Sequence, residues 1–199
     1  NFTLCQAGQG GGVYATQGSC TRLLSRDSCN PATGSLLAQA STFEACVAQS
    51  AAGGSGGALF LDQSATLLSN TFGPSNQARR IGSSGSSSTG ATGGGAVWCA
   101  QVSNPTAPVV ALAGGRLFDN TAAFGDGGGW ASVGYTLQAS GVNASGNAAS
   151  GGFGGAFAVG SGAATFTRVD ASTNSAMVRT RRSAEFIALT CRVVAPSHC

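Results

Sequence analysis

The groups able to do chemistry in this 199-residue chain are few: seven acids, ten cations that are all Arg, a single histidine at His198 and seven cysteines. Cleavage of an acidic polysaccharide takes clustered carboxylates, as Ca²⁺ ligands or as an acid and a base flanking the sugar. The acids here do not gather. On the 27-residue repeat described below, Asp119 aligns with Gly146 and Thr173, Asp170 aligns with Asn143 and Arg116, and Asp62, Asp126 and Glu185 fall elsewhere. There is no Cys-x-x-Cys, His198 stands at the extreme end, and the Ca²⁺-binding nonapeptide Gly-Gly-x-Gly-x-Asp is missing, so neither a metal nor another cofactor is expected.

Two sequons, Asn1-Phe2-Thr3 and Asn143-Ala144-Ser145, together with the cysteines point to an oxidising, extracellular or cell-surface setting. Asn143 shares its column with Arg116 and Asp170, all polar, and is expected to project outward where a glycan fits. Cys20 and Cys29 bracket an irregular insertion, Cys191 and Cys199 bracket the last residues, and Cys5 is a candidate partner for Cys46, which leaves Cys99 over. Spacing alone leaves the connectivity open. A net charge of +3 is too small to imply a nucleic-acid partner, and the clusters Arg79-Arg80 and Arg179-Thr180-Arg181-Arg182 suit acidic glycans or a neighbouring subunit better. No apolar run is long enough to cross a bilayer, so no membrane insertion is expected of this segment. Without an initiator Met or a signal peptide it is expected to be a portion of something longer, with further coils of the same polypeptide or other protein subunits as partners.

What must position these groups is a repeat. Asn-x-Ala recurs at Asn120/Ala122, Asn147/Ala149 and Asn174/Ala176, 27 residues apart each time, and backwards at Asn76-Gln77-Ala78 and Cys46-Val47-Ala48. Gly-Gly follows the first four marks, at Gly56-Gly57, Gly94-Gly95, Gly127-Gly128 and Gly154-Gly155, and Gly11-Gly12 opens the chain. A fixed period of this size with no helical pattern inside it describes one rung of a solenoid, which buries its apolar side chains only by stacking on its neighbours. After each Gly-Gly comes a short strand, and a second apolar run follows at Ser35–Phe43, Ala65–Phe72, Val109–Phe118, Tyr135–Val142 and Ala164–Val169. A third, shorter segment is expected to complete the coil.

The pattern predicts an all-β, right-handed parallel β-helix of about five coils, one domain over residues 1–199. Gly and Asn suit its left-handed corners, and Asn76, Asn120, Asn147 and Asn174 are expected to stack into an amide ladder. Residues 79–92 read as a Gly/Ser-rich loop insertion, 102–108 as a second, and residues 1–9 and 177–199 as caps for the open ends, the latter with a strand-like run at Phe186–Val194. With the Gly-Gly strands aligned as Val13-Tyr14-Ala15-Thr16, Ala58-Leu59-Phe60-Leu61, Ala96-Val97-Trp98-Cys99, Trp130-Ala131-Ser132-Val133 and Ala156-Phe157-Ala158-Val159, the second and fourth positions face the core. Phe60, Trp98 and Trp130 then stand on an apolar outer wall, a candidate interaction surface to be covered by a partner or by the chain itself.

The Gly-Gly-Ala-apolar strand and the Phe-x-Asn-x-Ala segment, as in Gly95-Ala96-Val97-Trp98 and Phe118-Asp119-Asn120-Thr121-Ala122, resemble right-handed β-helix repeats of the bacterial polymorphic outer-membrane proteins and of the pectin-lyase superfamily, over roughly residues 10–176. Cys46 in place of Asn and Trp130 after Gly128-Gly129 depart from that pattern. The resemblance implies a secreted scaffold. The expected role is a non-catalytic structural or interaction module of a wall layer or surface filament. The alternative is a carbohydrate-active enzyme or carbohydrate-binding module on the same scaffold, since fold does not decide function.

Overall fold

A computed structural model of the chain describes residues 1–7, 10–16, 28–30, 35–50, 54–80, 93–100, 108–176 and 186–189. They form a right-handed parallel β-helix, with strands stacked into four sheets that make the four faces of each coil. Face I holds the Gly-Gly strands Val13–Thr16, Leu59–Asp62, Val97–Ala100, Trp130–Val133 and Phe157–Gly160, and face II holds Ser35–Gln39, Ser64–Leu68, Val109–Ala113, Thr136–Ser140 and Ala163–Thr167. Face III holds Phe2–Thr3, Thr42–Glu44, Thr71–Phe72, Arg116–Phe118, Asn143–Ser145 and Asp170–Ser172. Face IV holds Gln6–Ala7, Val47–Ser50, Gln77–Arg80, Thr121–Ala122, Ala148–Ala149 and Ser175–Ala176. Taken in chain order these strands close five coils and begin a sixth.

Each coil therefore has four strands, where three were expected. The second apolar run splits because a left-handed residue bends it: Ala40, Ser69, Gly114, Gly141 and Arg168 occupy that corner with φ of 49°, 51°, 66°, 63° and 53°. A second left-handed corner, between faces III and IV, falls on Leu4, Ala45, Ser75, Asp119, Gly146 and Thr173. The ladder asparagines come immediately after these residues and are not themselves left-handed. Their role lies in the side chain, which corrects the reading of Asn as a corner former.

The Gly-Gly signature has two causes. Its first glycine makes the corner from face IV to face I, with φ of 54–67° at Gly10, Gly56, Gly94, Gly127 and Gly154, so that in the first coil the pair is Gly10-Gly11 and not the expected Gly11-Gly12. Its second lies where faces I and IV close on one another at the narrow end of the coil: a β-carbon on Gly57 would sit 2.5 Å from Gln77 N, and one on Gly95 2.6 Å from Thr121 N. Backbone packs on backbone there, and no side chain fits.

The core is filled from faces I, II and III. Face III contributes the column Phe2, Phe43, Phe72, Leu117, Ala144, Ala171, whose first three rings stack face to face at 4.8 and 4.9 Å. Face II contributes Leu36, Ala65, Val110, Leu137 and Ala38, Leu67, Leu112, Ala139, all buried. On face I the register corrects the expected alternation in two coils. Gly12 and Gly129 occupy the place of Ala58, Ala96 and Ala156, so Val13 and Trp130 lie level with Leu59, Val97 and Phe157 and point inward.

Two pairings are antiparallel, each at an end of a stack. Phe186–Leu189 lies against Phe157–Gly160 and closes that edge of face I, and Ser28–Asn30 lies against Ser35–Gln39. The core of the Gly/Ser-rich insertion, the second insertion at 102–107, and Cys20, Cys191, Cys199, His198 and the Arg179–Arg182 cluster lie outside the described residues, as does the side chain of Cys29.

Candidate functional surfaces

The best-defined polar array is the amide ladder. Asn76 Nδ2 donates to Asn120 Oδ1, Asn120 Nδ2 to Asn147 Oδ1 and Asn147 Nδ2 to Asn174 Oδ1, each at 2.9 Å. The same nitrogens donate to the carbonyls of Phe43, Phe72 and Leu117 in the preceding coil, and Asn174 reaches Ala144 O, again at 2.9 Å. The oxygens accept from backbone as well: Cys46 N donates to Asn76 Oδ1 at 2.9 Å, and Asn147 N to Asn174 Oδ1 at 3.0 Å. Asn76, Asn120 and Asn147 are fully buried, and their hydrogen-bonding capacity is spent on the neighbouring coils.

Asn70, which the repeat did not flag, does the same work once at the corner between faces II and III. It is fully buried, donates to Ala38 O at 3.0 Å and accepts from Ser41 N at 2.8 Å. Its signal was local, an Asn two residues before Phe72 in a single coil, without counterparts at the repeat spacing. Asp126, outside any column of acids in the sequence, also joins two coils: its Oδ1 accepts from Phe153 N at 2.7 Å one coil on.

Of the aromatic residues assigned to an outer wall, Trp130 is in the main core with no exposed surface. It fits there because the third glycine of its triplet shifts the strand by one. Phe60 and Trp98 do stand on the outer side of face I, level with Tyr14, Ala131 and Ala158, but they are only 3% and 4% exposed. The chain covers them itself. Tyr14 stacks on Phe60 at 4.7 Å, and Gly93 lies so close over the Trp98 ring that a β-carbon there would overlap it. Tyr14, 46% exposed, is what remains of that column for solvent.

The outer side of face II carries a shallow groove of about 310 Å³ lined by Ala111, Gln138, Ser140, Thr165 and Thr167, small side chains with amide and hydroxyl groups. On face III, Arg116, Asn143 and Asp170 are in register, and Asn143 is exposed, as is Asn1. Arg116 folds over the Phe118 ring at 4.8 Å.

Inside, a small set of polar groups surrounds Tyr135. Its hydroxyl donates to Leu61 O at 3.1 Å, and burial, followed by the nearby Cys99 and Asp62, pushes its pKa far above the ordinary value. Burial alone raises the Cys99 thiol. In the same coil as Tyr135, Trp130 Nε1 and Ser132 Oγ are buried with no hydrogen-bond partner. Cys5, Cys46 and Cys99 carry free thiols, so the candidate Cys5–Cys46 pair is in its reduced state here.

Among the described residues no group of three or more His, Cys, Asp or Glu is placed to hold a metal ion. Among them, too, no helix is long and apolar enough to cross a membrane. Comparison with known proteins finds no family model, no curated protein and no solved structure that matches this chain.

Proposed function

We propose that this chain is a structural and interaction module of a secreted, cell-surface or extracellular-matrix assembly, built on a pectin-lyase-like β-helix and glycosylated at Asn143. One observation carries the reading: the asparagines that stacking brings into register bind one another and the backbone of the preceding coil instead of converging on a cleft. Asn76, Asn120, Asn147 and Asn174 are the clearest case. Among the described residues the aspartates lie apart, with Asp62 buried on face I, Asp119 at a corner, Asp126 bonded to Phe153 N and Asp170 on face III. A long, regular hydrogen-bonded stack with a mixed-charge outer face suits a spacer or a wall component. Its partners are other subunits of the assembly or further coils.

The groove on face II favours a second reading, a carbohydrate-binding module, because amide and hydroxyl groups on a flat surface match the hydroxyls of a sugar chain. Three measurements separate these readings and an enzymatic one. The structural reading expects the tagged protein, expressed in its own source, in an insoluble or filamentous fraction, with no glycan-array binding and no release of reducing sugar. Array binding lost in Gln138→Arg would replace it with the second reading, and release of reducing sugar would replace it with an enzyme.

A further inference from the structure

We propose that Cys5 and Cys46 form a disulfide that takes over from the amide ladder at its N-terminal end and cross-links the first coil to the second. Both residues occupy the ladder column. Cys5 follows left-handed Leu4 (φ 55°) and Cys46 follows left-handed Ala45 (φ 51°), as Asn76 follows Ser75 (64°) and Asn120 follows Asp119 (51°). The register on either side agrees: Thr3 is level with Glu44, and Gln6 with Val47. Val47 N donates to Cys5 O at 2.7 Å, the contact that Gln77 N makes to Cys46 O at 2.9 Å one coil on.

The thiol of Cys46 points where the amides point. Its Sγ lies 3.6 Å from Phe2 O and 3.5 Å from Glu44 O, and Phe2 stands in the same core column as Phe43, Phe72 and Leu117, whose carbonyls take the ladder amides. Cys5 lies in the adjacent ladder place, one coil from Cys46. Strands in neighbouring coils run about 4.8 Å apart, inside the Cα separation of roughly 4.4–6.8 Å that a disulfide requires. A thiol has no second donor with which to continue an amide ladder, and a covalent bond across the same gap supplies the missing link. Cys99, the remaining described thiol, is on face I, buried in the core, and does not compete.

The oxidant is a disulfide donor such as oxidised glutathione. The Cys5 thiolate, at the more exposed of the two sites, attacks the donor's S–S bond, forms a mixed disulfide and releases one thiolate. Cys46 then loses its proton to solvent, and its sulfur attacks Cys5 Sγ and expels the second donor thiolate. The donor gains two electrons, and the two cysteines lose two electrons and two protons.

The test is oxidation of the fully reduced, folded protein with oxidised glutathione, quenching in acid with an alkylating reagent, and mapping of non-reduced peptides. Cleavage after Tyr14 separates Cys5 from Cys20, and cleavage after Phe43 separates Cys46 from Cys29. The expected result is a cross-linked Cys5–Cys46 peptide, two hydrogens lighter than the sum of its parts, that forms in step with the loss of both free thiols. A Cys46→Asn variant, which restores the amide to the column, should lose that peptide and retain a cooperative melt that added reductant shifts less than it shifts the wild type. Cys5 and Cys46 both recovered alkylated after complete oxidation of the other thiols, or Cys5 linked to a different cysteine, would overturn the proposal. Because the reaction is run on purified protein, its failure would leave the secreted structural role untouched.

Discussion

At the scale of single residues, the ladder asparagines differ from ordinary turn asparagines in having buried partners on both sides. Replacing Asn120 by Ala removes three buried hydrogen bonds, to Phe72 O, from the Asn76 amide and to Asn147 Oδ1, although Asn76 Nδ2 keeps Phe43 O and Asn147 Oδ1 keeps the backbone N–H of residue 120, and each lost bond costs about 1 kcal/mol. Asn120→Ala is expected to destabilise by about 3 kcal/mol in denaturant titration. Asn120→Asp, which keeps the shape and loses the donor, should be nearly as damaging at pH 7. Ser132 predicts the opposite sign. Its hydroxyl is buried without a partner between Cys99 and Val159, so Ser132→Ala should raise stability by about 1 kcal/mol, and an unchanged or lower midpoint would argue against that burial. The ladder is legible because Asn120, Asn147 and Asn174 keep the 27-residue spacing and Asn76 repeats their Asn-x-Ala motif one coil earlier, whereas the place of Trp130 is not, because three consecutive glycines leave the start of the strand undetermined. Asn70 escaped notice because a cap used in one coil leaves no period to detect.

At the scale of elements, the corners and faces impose distinct demands on glycine. Gly141 is left-handed at φ 63°, but a β-carbon there would find only Gly114 atoms near 3.9 Å, and Ala40 and Ser69 take up the same conformation in other coils. Gly141→Ala should therefore cost only the conformational term, about 1 kcal/mol. Gly95→Ala drives a methyl group into the backbone of face IV at Thr121 and should cost about 3 kcal/mol or more. Equal losses for the two, measured by thermal or urea unfolding, would contradict the narrow-end packing. The strand after each Gly-Gly and the second apolar run could be read from alternation and β-branched content. The corner that splits this run into faces II and III could not, because Ala40, Ser69, Gly114, Gly141 and Arg168, which make it, share no residue type.

At the scale of the whole molecule, stability has a pH dependence that follows from buried acids of weak acidity. Burial, and then the hydrogen bond with Cys5, pushes the reduced Cys46 thiol from 9.0 up to about 12, and burial raises Cys99 and Tyr135 as well. Between the unfolded and folded pKa values the unfolded chain has released protons that the folded chain retains, so the unfolded state binds fewer protons and stability falls as pH rises. The reduced protein is expected to lose stability from about pH 9 upward, and Cys99→Ala should lessen the slope between pH 9 and 11; an unchanged slope would show that Cys99 is not desolvated as described. The solenoid as a whole was legible in a 27-residue period, but its role was not, since the columns that period aligns serve the stack itself. Hydrogen bonds between coils run along the axis, so a pull on the two ends of the chain would load one seam at a time. Tension should peel the protein in steps, each regular coil of 27 residues paying out roughly 90 Å of thread, and a wall containing such modules would yield gradually under load where a globular domain would snap open at once.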